Sequence, residues 1–419
     1  MILDTAVGVF CTGLASLALL FGANRRYLHH PPRQRTIRLG AILVVTCLVL
    51  ALGLTQTAGQ ASPQRRRYAA DAGEVAYFGR TARGATVLWT WPASGLRVAY
   101  RNSATVALHF RAENSADGFS FNRTRMAWYR IDSGPWTQLI IPPGVDADYS
   151  LAVPGDTGPH TLDVVKASEG QLTFGGIALD AGGRLSRPVL PAHRIEIVGD
   201  STSAGFRMYG RGTHAAVQDH DARATYGWLL GDWLDAEVRL IAFSGAGLVH
   251  NFGTAAAESQ PMPTDYYPYL HRDMTIPNDW SWQPEIVIVN LGTNDTTPPA
   301  WTPFDTFQAV YTSFLSTLRQ DNPRALIIAL RPFGTDYGVV HIYPDQIRAA
   351  VEARHAAGDN RVVYVDTAGW LGGGDFTDGV HPNAQGNGKA ATQLLPIVQG
   401  WLQSPSAAAM AVAAAKQNE

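Results

Sequence analysis

Ile195-Glu196-Ile197-Val198-Gly199-Asp200-Ser201-Thr202-Ser203-Ala204-Gly205 is an apolar strand that stops at a glycine and gives way at once to a serine. Gly199 allows a tight turn, and Ser203-Ala204-Gly205 opens a helix. The hydroxyl of Ser201 then stands at the carboxyl edge of a sheet, where ligands bind in open α/β folds. The same passage aims the first amides of a helix at any negative oxygen formed beside that hydroxyl.

Further along, residues 238–243, 286–291, 325–330 and 362–365 are nearly continuous in Val, Ile and Leu, as parallel strands covered on both faces are. Helices are expected between them at 226–234, 307–318, 345–357 and 388–402; Val310, Tyr311, Phe314, Leu315 and Leu318 form one apolar stripe on the second. Residues 190–404 thus read as a three-layer α/β domain with a parallel sheet, and 405–419 as an Ala-rich tail.

Upstream the pattern differs. Residues 72–185 carry short runs with period-two alternation at 86–89, 96–100, 104–110, 126–131, 136–141, 161–165 and 172–179, with no helical stretch among them. Asp132-Ser133-Gly134 is a hairpin turn between two of these runs. An all-β sandwich of jelly-roll type is expected, with Trp89, Trp91 and Trp136 in its core.

The first 66 residues hold two uncharged apolar stretches, about 5–22 and 39–59, each near the length that crosses a bilayer as a helix. Arg25, Arg26, Arg33, Arg35 and Arg38 lie between them and outweigh Arg65, Arg66 and Arg67 beyond. The positive-inside rule then puts the linker in the cytoplasm and the rest of the chain on the periplasmic or extracellular side. A signal peptide cut after Gly59-Gln60-Ala61 is the rival; the length of the first run favours an uncleaved transmembrane hairpin as membrane anchor. Both cysteines, Cys11 and Cys47, fall in these runs, so the exported part can form neither a disulfide nor a Cys-ligated metal site. The 33 basic and 35 acidic residues give a formal charge of -2, which offers nucleic acid no general attraction.

Three more segments carry chemistry. Gly245 follows the second strand in Ser244-Gly245, and Asn294 follows the third in Gly292-Thr293-Asn294-Asp295. The ends of those strands converge on one edge, so the N–H groups of Ser201 and Gly245 and the amide of Asn294 form a candidate oxyanion hole. Asp378 and His381 lie three residues apart in Asp378-Gly379-Val380-His381, just ahead of the last helix. A neutral imidazole there can take the proton of Ser201 while the carboxylate fixes its tautomer. Each segment alone is weak, because Gly-Asp-Ser and Asp/His turns are common; together, in this order, they supply a nucleophile, a base and an oxyanion site.

These four segments resemble the blocks of the SGNH hydrolases, the GDSL-like esterase superfamily named for the Ser, Gly, Asn and His that stand here at Ser201, Gly245, Asn294 and His381. The resemblance covers about residues 192–402 and implies a flavodoxin-like fold, a Ser201-His381-Asp378 triad and no cofactor. With the sandwich, and with residues 221–234 leading into Ser244-Gly245-Ala246-Gly247-Leu248, the chain looks similar to carbohydrate esterase family 2, deacetylases of plant-type polysaccharides with a jelly roll ahead of the hydrolase domain. Some members of that family replace the triad carboxylate by a backbone carbonyl, whereas Asp378 completes it here; the hairpin is not typical of them.

A serine esterase acting on an acetylated carbohydrate is therefore expected. A membrane-tethered O-acetyltransferase is the alternative, and a carbohydrate-binding surface protein with a degenerate hydrolase domain is disfavoured by the intact chemical positions. Trp280 and Trp282, in the long stretch 251–282, are candidates to stack on sugar rings beside the site. His214, Asp219, His220 and Asp221 lack metal-ligand spacing, so no metal is expected.

Overall fold

Alternating apolar and polar residues make the strands of the N-terminal half. In the computed structural model, which describes residues 65–113, 124–210, 217–253, 261–296, 301–333 and 343–404, they are β1 (Arg65–Ala69), β2 (Ala76–Phe78), β3 (Val87–Trp89), β4 (Gly95–Arg101), β5 (Val106–Ala112), β6 (Arg125–Ile131), β7 (Thr137–Ile141), β8 (Asp146–Ser150), β9 (His160–Lys166), β10 (Leu172–Asp180) and β11 (Arg184–Ser186). They form two antiparallel sheets, ordered β1-β10-β5-β8 with β3 also on β10, and β11-β4-β9-β6-β7 with β2 also on β4. Each sheet takes strands from both ends of this segment, which makes an interleaved antiparallel sandwich. Val98, Leu108, Phe110, Leu162, Val164 and Phe174 fill one core between the sheets, where Trp89 stacks on Phe174 at 5.7 Å and meets Phe110 edge-on at 5.4 Å.

The C-terminal half runs β12 (His193–Gly199), α1 (Ser201–Ala204), α2 (Tyr226–Leu234), β13 (Ala236–Ala242), α3 (Pro263–Tyr266), β14 (Ile286–Asn290), α4 (Phe304–Asp321), β15 (Leu326–Leu330), α5 (Pro344–Ala356), β16 (Val362–Val365) and α6 (Ala384–Leu402). All five strands are parallel, in the order β13-β12-β14-β15-β16. Successive strand residues face opposite layers. Ile195, Ile197 and Ile288 pack with Tyr226 and Leu230 of α2 and Leu394 of α6, while Val198, Val287 and Val289 pack with Tyr311 and Phe314 of α4 and Ile347 of α5. From β12 the connections lead to opposite sides, and this switch point opens a crevice at the carboxyl ends of β12 and β14.

Two of the three tryptophans expected in the sandwich core serve the domain boundary instead. Trp91 lies 5.2 Å from Tyr266 and donates to Leu270 O at 2.7 Å. Trp136 lies beneath the guanidinium groups of Arg130 and Arg223 and packs against the core of the C-terminal half. The largest polar tie is Arg80, a fully buried sandwich residue paired in bidentate fashion with Glu196 on β12, with both NH2 contacts at 3.1 Å. Arg80 also donates to the carbonyls of Tyr267 and Tyr269, while the Tyr267 hydroxyl donates to Glu196 at 2.6 Å and accepts from Asn322 at 2.7 Å. Removing one partner of such a pair strands a buried charge, so Glu196→Gln is expected to cost about 3 kcal/mol, read as a lower denaturant midpoint at constant m-value.

Among the described residues no helix is long and apolar enough to cross a membrane. The runs 5–22 and 39–59, like the tail 405–419, lie outside the described residues. The first described strand is β1, so Arg65, Arg66 and Arg67 belong to an edge strand paired with β10.

Candidate active site

β12 delivers Ser201 to the sheet edge through Gly199 and Asp200. A Cβ on Gly199 would lie 2.3 Å from Ser203 Oγ, so only glycine admits this close return of the chain. Asp200 caps the next turn by accepting from Thr202 N–H at 2.9 Å and Thr202 Oγ1 at 2.8 Å. The expected helix is a single turn, Ser201–Ala204, closed by Gly205. Its contribution is therefore the N–H of its first residue, which has no acceptor within the helix, rather than a macrodipole. Asp200 is wholly buried; desolvation raises its carboxyl against the Thr202 bonds.

Ser201, His381 and Asp378 meet. His381 Nε2 is 2.9 Å from Ser201 Oγ, and its Nδ1 is 2.8 Å and 3.0 Å from the two oxygens of Asp378. Asp378 also accepts the backbone N–H of His381 at 2.9 Å and of Val380 at 3.2 Å, so the loop itself orients the carboxylate. A carboxylate can only accept, which puts the imidazole proton on Nδ1 and the lone pair of Nε2 toward the serine. Burial raises the Asp378 carboxyl, but the hydrogen bond and charge of His381 and the two N–H groups outweigh it and hold it well below the usual range.

The same edge gathers Gly245 and Asn294. Phe243 N–H donates to Gly199 O at 3.3 Å, starting the loop after β13 beside the serine turn. That loop is bonded residue by residue. Ser244 N–H goes to Glu169, Ala246 N–H to Phe243 O, Gly247 N–H to Asn251 Oδ1, and the N–H groups of Leu248, Val249 and His250 to the buried Asp295. Among the described residues, Gly245 is left as the one N–H of this run without a protein acceptor. Asn294 donates from Nδ2 to Ala246 O at 2.8 Å and lies 3.5 Å from Asp200 Oδ2. The short bond fixes the amide plane, and the long one is too weak to compete with a charged oxygen.

Several neighbours are not legible as site residues in the sequence alone. Arg207, with φ 53°, places NH1 3.1 Å from Asp378 Oδ2. The ring of Phe206 lies 5.0 Å from that of His381 and 4.7 Å from that of His220. Burial, with the charges of His381 and Arg207, pushes His220 down to about 4, keeping it neutral beside the triad. Phe206 and Arg207 follow the serine turn directly, and that proximity is the signal for them.

Trp280 and Trp282 are not brought to Ser201. Trp280 packs with Tyr267 at 5.5 Å beneath the Arg80 guanidinium, and Trp282 is covered by Arg239 at 3.9 Å and Arg194 at 5.8 Å. Arg194 stands at the start of β12, the opposite edge of the sheet, so these tryptophans are corrected from sugar-stacking candidates to packing residues under arginines. Within the stretch 251–282, Phe252 bonds the Gly245 carbonyl and the Arg272 guanidinium lies 3.9 Å from the Phe243 ring, beside the oxyanion loop, whereas Tyr266 and Tyr267 are fully buried. His214 lies outside the described residues. Asp221 bonds Arg223 at 2.7 Å, and among the described residues no group of three His, Cys, Asp or Glu side chains could hold a metal ion.

Residues 195–394 match the model of the GDSL-like Lipase/Acylhydrolase family. An acetylxylan esterase / glucomannan deacetylase of Cellvibrio japonicus is 29% identical over 252 residues, 58% of this chain and 67% of that protein. Cellulase/esterase CelE of Acetivibrio thermocellus is 26% identical over 256 residues, and this chain spans only 31% of its length. Among solved structures, a family two carbohydrate esterase from Clostridium thermocellum in complex with cellohexaose aligns with a TM-score of 0.68 at 22% identity, covering 78% of this chain and all of the other, a likeness of fold.

Proposed function

Residues 195–394 of this chain match the GDSL-like lipase/acylhydrolases, and from that premise we propose that it is a serine esterase removing O-acetyl groups from a polysaccharide or oligosaccharide. The observation that carries the proposal is the unbroken run of contacts from Asp378 through His381 to Ser201, beside a loop whose Gly245 N–H has no protein acceptor among the described residues. Ser201 Oγ attacks the acetyl carbonyl as its proton passes to His381 Nε2, and Asp378 stabilises the imidazolium. The N–H groups of Ser201 and Gly245 and the amide of Asn294 receive the oxyanion. As the C–O bond breaks, the sugar oxygen takes the proton back from His381. Water then repeats the sequence on the acyl-enzyme, releasing acetate.

A carbohydrate ester is favoured because one relative described above is an acetylxylan esterase / glucomannan deacetylase and a carbohydrate esterase of similar fold was solved with cellohexaose. The two uncharged runs at 5–22 and 39–59, with five arginines between them, support a membrane tether that holds the catalytic part outside the cytoplasm.

The test incubates the 419-residue protein with acetylated xylan, acetylated glucomannan and an aryl acetate and measures free acetate. Release in water alone is expected. Product formed only when a sugar acceptor is added would make the protein an acetyltransferase, and no acyl chemistry on any of them would sink the proposal.

A further inference from the structure

We infer that Glu169, contributed by the β-sandwich, is a positioning residue for the oxyanion donor at Gly245; the inference rests on the esterase function proposed above. Glu169 sits in the turn between β9 and β10, 3% exposed, and its two carboxylate oxygens take both donors of Ser244: the N–H at 2.5 Å and the Oγ–H at 2.6 Å. Ser244 immediately precedes Gly245. With its amide and its side chain both held, only one backbone torsion of Ser244 separates that anchorage from the peptide plane carrying the Gly245 N–H. The far side of Gly245 is closed as well, because its carbonyl accepts Phe252 N–H at 2.9 Å and Ala246 O accepts Asn294.

The sandwich turn is itself built to hold Glu169 still. Lys166 and Arg125, both fully buried, donate to Gly170 O at 2.5 Å and to Gln171 O at 3.1 Å. Gly170 has φ +80°, and a Cβ there would lie 2.5 Å from the Arg125 guanidinium carbon. The turn is joined to the hydrolase domain a second time through Ala222 N–H to Ala167 O at 3.0 Å. Oxyanion donors work by being aimed before charge develops, and a bidentate carboxylate on a turn whose carbonyls are held by two buried cations supplies that aim from the sandwich. The sandwich then takes part in the reaction without touching substrate.

If Glu169 only ties the domains together, its loss lowers stability and leaves the rate of the folded enzyme alone. If it positions Gly245, its loss lowers kcat with little change in KM, and weakens a tetrahedral mimic in proportion. The experiment measures 4-nitrophenyl acetate turnover, inhibition by phenylboronic acid and thermal midpoint for the full chain and for Glu169→Ala, Glu169→Asp, Glu169→Gln and Ser201→Ala. Glu169→Ala is expected to lose roughly 10- to 100-fold in kcat with KM within about threefold, and to bind the boronate correspondingly less well. Glu169→Gln, which presents an acceptor to the N–H and a donor to Oγ, is expected to recover most of that loss. Glu169→Asp, one methylene short, is expected to lose at least tenfold, and it carries the test if the alanine variant does not fold. A kcat and boronate affinity within threefold of wild type in the folded Ala or Asp variant would overturn the inference. Equal turnover by wild type and Ser201→Ala would instead overturn the esterase function on which it rests.

Discussion

Acetate release is expected to fall by about 10⁴-fold or more in Ser201→Ala, with no loss of folded structure. The hydroxyl is the nucleophile that stands against the base His381, and its removal takes away the covalent adduct that the oxyanion donors serve in the proposed mechanism. Structurally it is nearly dispensable: it meets His381 at 2.9 Å, while Asp200 and Thr202 frame the turn without it. Turnover measured on the purified variant, with circular dichroism alongside, checks both halves. A variant that keeps wild-type rates would remove Ser201 from the mechanism altogether.

Asp378→Asn is expected to cost nearly as much, about 10³- to 10⁴-fold in kcat, through the position of one proton. The carboxylate accepts from Nδ1 and from two backbone N–H groups. An amide at this position keeps its oxygen on the backbone donors and turns its NH2 toward Nδ1. The ring proton then moves to Nε2, where it points at Ser201 and cannot receive the serine proton. The variant should retain the wild-type KM, and near-normal kcat would show that a backbone carbonyl or Asp200 orients the base instead. Acidification probes the same carboxyl. Its ionisation lies below the ordinary 3.8 in the folded protein, so its contribution to stability is complete above that value and is lost as pH falls further, because only then does the unfolded chain bind the extra proton.

The sheet and the nucleophile were legible because single local signals marked them. A Val/Ile run ending in Gly199 fixes where Ser201 emerges, and the stripe from Tyr311 to Leu318 identifies α4, which the structure extends to Phe304–Asp321. Strands β1 and β8 escaped notice because they are edge strands of a half-solvated sheet. Arg65, Arg66 and Arg67 read as charge flanking the second apolar run, and Asp146-Ala147-Asp148-Tyr149-Ser150 carries too little apolar surface to stand out, yet Arg67 and Asp148, on strands of one sheet, bond at 2.5 Å. Glu169 was invisible for another reason. It acts on Ser244 across 75 residues of chain, and no local pattern encodes a contact made only after two domains dock. Trp280 and Trp282 misled because composition reveals that a loop is aromatic, not which rim of the sheet it reaches.

Arg80 has a consequence for the order in which the polypeptide comes into being. Ribosomes deliver residues 65–186 before Glu196, Tyr267 and Asn322 exist, so the nascent sandwich keeps this guanidinium in water. Its burial waits for the acid on β12 and for the tyrosine seventy residues later. Docking of the second globule thus seals a cation that the first could not have enclosed by itself. The two halves should melt in a single calorimetric transition, because neither can open without stripping the other of its counter-charge.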